Sequence, residues 1–88
     1  MKMVQRPHEV MDGIQRTYIF ENGLLLSAIK TKTSYGGKAG MWEIGVLKDG
    51  EFITKKIFPT ADDDVIGWIK DDDLYKYLEA TKNYLEAA

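Results

Sequence analysis

Cysteine is absent from this chain, which excludes a disulfide framework and thiolate chemistry and fits a reducing cytoplasm. Histidine occurs once, as His8, so no nucleophile–base–orienter set can be assembled around Ser27 or Ser34. Proline is scarce: Pro7 and Pro59 are the only two. No apolar run approaches the ~18 residues of a membrane span. Met1 to Met11 carries His, Glu, Pro and Arg where a signal peptide needs an apolar core, so secretion is not expected. At 88 residues the chain has room for one domain, with a core that buries about 60–65% of the unfolded surface.

What is present begins with two turn signals, Glu21-Asn22-Gly23-Leu24 and Lys48-Asp49-Gly50-Glu51. Asn-Gly and Asp-Gly suit a type I′ turn, which needs φ > 0 at both central residues. Each lies between β-prone runs. The first hairpin is expected from about Arg16 to Thr31, pairing Glu21 with Leu24, Phe20 with Leu25 and Tyr18 with Ser27. Tyr18, Phe20, Leu25 and Ile29 then share one face, and Ile19, Leu24, Leu26 and Ala28 the other. The second hairpin runs from Met41 to Ile57, with Trp42, Ile44, Val46, Ile53 and Ile57 on one face. Glu43 opposes Lys56 on the other, and Gly45 inside the strand signals a bulge or the close approach of a large neighbour.

Pro59 ends the sheet, and 62–69 reads as a loop or short turn that tucks Val65, Ile66 and Trp68 under the end of a helix. Asp71-Asp72-Asp73 supplies an N-cap and first-turn negative charge. From about Asp72 to Glu86, Leu74, Leu78, Thr81 and Leu85 recur at helical spacing, flanked by Tyr77 and Tyr84. The fold expected is α+β: a four-stranded antiparallel sheet from two β-hairpins with a C-terminal amphipathic helix packed on one face. Residues 16–88 form this domain. Residues 1–15, broken by Pro7 and Gly13, form a loosely ordered N-terminal arm, with Val10, Met11 and Ile14 packing on the domain.

Charge is unevenly spread. Residues 1–60 carry nine Lys/Arg against six Asp/Glu, and residues 61–88 carry three against eight. The acidic side includes Asp62, Asp63, Asp64, Asp71, Asp72 and Asp73, a candidate contact surface for a basic protein partner. These triplets are contiguous and do not converge, so neither acid–base catalysis nor a metal site is expected of them. Asp62-Asp63-Asp64-Val65-Ile66-Gly67 has the sixth-position Gly of a calcium loop, but apolar residues stand where ligands are needed. Gly36-Gly37-Lys38-Ala39-Gly40 lacks the frame and following helix of a phosphate loop and reads as a crossover between hairpins. Tyr35 and Lys38 still make it a candidate contact site. Lys30, Lys32, Tyr35 and Lys38 together support an alternative, nucleic-acid association.

One helix covers one sheet face. The other, with Met41, Leu47 and Phe52, must be capped by the arm, by a second copy of the chain in a homodimer, or by a partner protein. The series Phe20-Glu21-Asn22-Gly23-Leu24, Ser34-Tyr35-Gly36-Gly37, Gly40-Met41-Trp42-Glu43-Ile44 and Asp64-Val65-Ile66-Gly67-Trp68 ahead of a helix resembles small accessory proteins of tailed phages. The resemblance spans about Tyr18 to Leu85. It implies no established activity, catalytic residue or cofactor. It does imply a cytoplasmic, phage-encoded protein that binds and modulates a host factor. The expected role is therefore a non-catalytic protein-binding module, with the acidic edge or the open sheet face as its contact surface.

Overall fold

A computed structural model describes residues 1–9 and 12–87. Six strands form one antiparallel sheet: β1 (Lys2–Pro7), β2 (Gly13–Ile19), β3 (Leu24–Thr31), β4 (Trp42–Lys48), β5 (Glu51–Phe52) and β6 (Ile66–Ile69). The order is β1-β2-β3-β4, and β5 and β6 both pair with β4. A helical turn, α1 (Thr54–Ile57), follows β5, and the C-terminal helix α2 (Leu74–Ala87) follows β6. The expected class holds, with more strands than the four read from the hairpins.

Both turns sit where their residues require. Asn22 and Asp49 have φ of 58° and 49°, and the glycine after each also has φ > 0. The turns lie side by side, with the Asp49 N–H donating to the Gly23 carbonyl at 3.0 Å. The first hairpin nevertheless differs in register from its expectation. Phe20 N–H donates to the Leu24 carbonyl at 2.8 Å while Leu24 N–H returns to Glu21 at 3.2 Å, so two residues oppose one. This bulge slips the ladder by one, pairing Tyr18 with Leu26 and Ile19 with Leu25. Because the side-chain period is two, Tyr18 changes sides and joins Leu24, Leu26 and Ala28. All four are buried with Trp42, Ile44 and Val46.

The second hairpin keeps its expected turn, Lys48 pairing with Glu51 and Leu47 with Phe52. Its return strand is short, because Thr54–Ile57 coils into α1. Ile53 and Ile57, four apart, satisfy strand and helix periods alike, and both still face the core. The expected Glu43–Lys56 pair is absent: Glu43 lies opposite Ile29. Thr54, fully buried, replaces the missing backbone partner. Its Oγ1 accepts the Val46 N–H at 2.9 Å and donates to the Asp64 carbonyl at 2.6 Å.

Residues 66–69, expected within a loop, extend the sheet beyond β4. Ile44 pairs with Ile66 and Trp42 with Ile69, which leaves Gly67 and Trp68 opposite Glu43. Of the three residues expected to tuck under the helix end, Ile66 packs half-buried against the core, Val65 is half-buried and Trp68 is exposed; the buried residue of the strand is Ile69. In the segment read as an arm, Lys2–Pro7 pairs residue for residue with β2. Pro7 closes that strand at a position where its missing N–H costs nothing in the ladder. Val10 and Met11 lie outside the described residues.

The helix docks as its periodicity requires. Leu74 and Thr81 are buried, and Leu78 and Leu85 pack half-buried against the core. Phe58 at the end of α1 meets Tyr77 with ring centroids 5.2 Å apart. The three aspartates form the first turn of the helical segment and not its cap. A 3₁₀ turn over Asp71–Asp73 precedes α2, and its N-cap position is Lys70, without a side-chain bond.

Candidate functional site

Arg16, Lys30 and Asp71 converge on the buried Trp42. The Lys30 Nζ lies 4.4 Å and the Arg16 Cζ 4.6 Å from the ring centroid, within cation–π range. The Trp42 indole N–H donates to Asp71 Oδ1, which also accepts from Lys30 at 3.3 Å. That indole bond, reinforced by Lys30, holds the Asp71 carboxyl below the usual carboxylate range. The cluster fastens the start of the helix to the sheet. It also occupies two residues read from the sequence as contacts.

The remaining candidates fall into separate places. Asp73 pairs with Lys76 at 3.2 Å, and Asp63 accepts the N–H of Asp64 at 2.7 Å. Asp62 and Asp72 are exposed. Among the described residues no group of three or more His, Asp or Glu converges to hold a metal ion. Of the nucleic-acid alternative, Lys30 is turned over Trp42, and Lys32 pairs with Asp12 at 3.0 Å. Tyr35 and Lys38 remain exposed.

No helix or strand among the described residues covers the sheet face turned from α2. That face bears Leu25, Ile29 and Leu47 with Thr17, Ser27 and Glu43, and with Val65 and Phe52 these line a depression of about 480 Å³. Gly45 explains the position of Phe52. A Cβ there would stand 2.9 Å from Phe52 Cε1, so the bare glycine lets the ring lie across the strand. The large neighbour anticipated at Gly45 is this phenyl group.

At the β6 end the face is bordered by two exposed aromatics, Trp68 (64% exposed) and Tyr35 (58%). Trp68 is the left-handed residue of the β6 bulge, at φ 62°, a conformation that is uncommon and costly for a bulky side chain. The Trp68 N–H donates to the Tyr35 carbonyl at 3.2 Å. Gly67 permits that approach, since a Cβ on it would fall 2.2 Å from the Tyr35 Cβ. Glu43 joins corner and face: it lines the depression, and its Oε1 accepts the Tyr35 N–H at 3.2 Å. Tyr35 was legible from its loop. Trp68 was not, because an apolar residue in an apolar run reads as core, and only the Gly67 beside it hinted at a bulge.

No family model, curated protein or solved structure matches the chain. No helix among the described residues is long and apolar enough to cross a membrane.

Proposed function

We propose that this chain is a non-catalytic protein-binding module whose contact surface is the uncovered sheet face together with the Tyr35–Trp68 corner. The observation that carries the reading is Trp68: an indole held in solvent at a backbone conformation that disfavours it. Tryptophan and tyrosine are the residues that most often anchor protein interfaces, and bulges often re-aim a side chain beside a binding site. The open face behind them supplies half-buried Leu25, Ile29 and Leu47 for a partner to cover. The acidic edge supports the reading less, because Asp71 and Asp73 are engaged within the chain. A host factor met by a phage-encoded protein in the cytoplasm belongs to the same proposal.

The test is capture from bacterial lysate by the immobilised protein, beside Trp68→Gly and Phe52→Lys. A specific partner should be retained at high salt, because apolar contacts are not screened, and should be lost from both variants. Equal capture by all three proteins overturns the reading. Light scattering separates a second copy from a foreign partner: a dimer abolished by Phe52→Lys would make the chain its own partner.

A further inference from the structure

A second surface lies on the helix side of the molecule. Between the β2–β3 turn and the last turns of α2 runs a groove of about 560 Å³, within the ~300–1,000 Å³ typical of ligand sites. Its floor is Phe20, Leu78 and Leu85, which pack against the core yet remain half-exposed. Its rim carries Glu21, Glu79 and Glu86. Lys82 also lines it, 4.0 Å from Glu86, and Met1 stands at its mouth. Even counting the Met1 ammonium, carboxylates outnumber cations there.

An apolar floor under an anionic rim selects for apolar side chains flanked by cations. We propose that this groove binds a basic amphipathic segment of a partner protein, apolar residues against Phe20, Leu78 and Leu85 and Lys or Arg against the glutamates. A helical ligand with apolar anchors at i, i+3, i+4 and i+7 matches such a groove. The site is separate from the open sheet face, and either can fail without the other.

The probe is a fluorescein-labelled synthetic peptide of Leu and Lys in helical period, with a twin in which Glu replaces every Lys. Anisotropy should show the Lys peptide binding the full chain, more weakly as salt rises, and the Glu twin binding at least about tenfold more weakly. Glu79→Lys/Glu86→Lys should lose about tenfold or more for the Lys peptide. Asp62→Lys/Asp72→Lys changes net charge equally at exposed positions and should leave binding almost unchanged. Phe52→Lys should do the same. Circular dichroism verifies that each variant folds. No binding, equal binding of both peptides, or equal loss in both double variants overturns the proposal. Loss confined to Phe52→Lys does so too, and would place the peptide on the open face. A second copy of the chain filling the groove, seen as a dimer broken by Glu79→Lys/Glu86→Lys, would also overturn it.

Discussion

Thr54 concentrates more structural work than its size suggests. One hydroxyl closes the Val46 N–H where β5 ends and ties the 61–65 segment to the sheet through the Asp64 carbonyl. Thr54→Val keeps the shape and removes both bonds, leaving a buried donor without an acceptor. Unfolding in urea should show a loss of about 1–3 kcal/mol, largely recovered in Thr54→Ser. A neutral Thr54→Val would mean that water reaches Val46. Asp71 is the other residue with a sharp signature. Its carboxyl pKa lies below the unfolded value, so its contribution is present above the ordinary Asp pKa of about 3.9 and is lost as pH falls through the lowered folded value. Wild type should therefore exceed Asp71→Asn in stability near neutral pH, and the gap should close below about pH 4. A gap that does not change with pH would contradict the Trp42–Asp71–Lys30 arrangement.

Elements differ in how far their residues announce them. Asn22-Gly23 and Asp49-Gly50 required their turns, and the Leu74/Leu78/Thr81/Leu85 stripe required a docked helix, because each signal is local. The bulge at Phe20 and Glu21 was not legible, since both faces of that hairpin are apolar and either register buries hydrophobic residues. Strand β6 was hidden for a different reason. It is four residues long and gains its place from pairing with β4, some twenty residues earlier in the chain, and not from any local pattern. Of the candidate site, Tyr35 was visible as a loop aromatic, and Trp68 waited on that pairing. Two glycine substitutions separate the close approaches at this level. Gly67→Ala would drive a Cβ into the Tyr35 Cβ and carbonyl, and should cost about 1–3 kcal/mol. Gly45→Ala meets the edge of the Phe52 ring at 2.9 Å, which can swing away, and the Asp64 carbonyl at an ordinary contact distance of 3.4 Å, and should cost much less. Thermal unfolding of the pair measures the order; equal losses would refute the packing described at one of the two positions.

For the whole molecule, stability is layered around the centre of the sheet. Strands β2, β3 and β4 hold most of the buried residues, whereas β1 is an exposed edge and β5 and β6 are short. Native-state amide exchange should be slowest in β3 and β4 and fastest in β1, and strongest protection in β1 would contradict this layering. The same layering leaves the peripheral Tyr35–Trp68 corner free to serve contact in place of packing. The decisive comparison is therefore the urea stability of Trp68→Gly against wild type. Glycine accepts φ near 62° without penalty, while a non-glycine residue there costs about 1–2 kcal/mol, partly offset by the entropy glycine loses on folding. If Trp68 is kept outward for contact, the variant should be as stable as wild type or more so. A loss beyond about 2 kcal/mol, the scale of a buried large side chain, would show that the indole belongs to the core and would remove the basis of the binding surface.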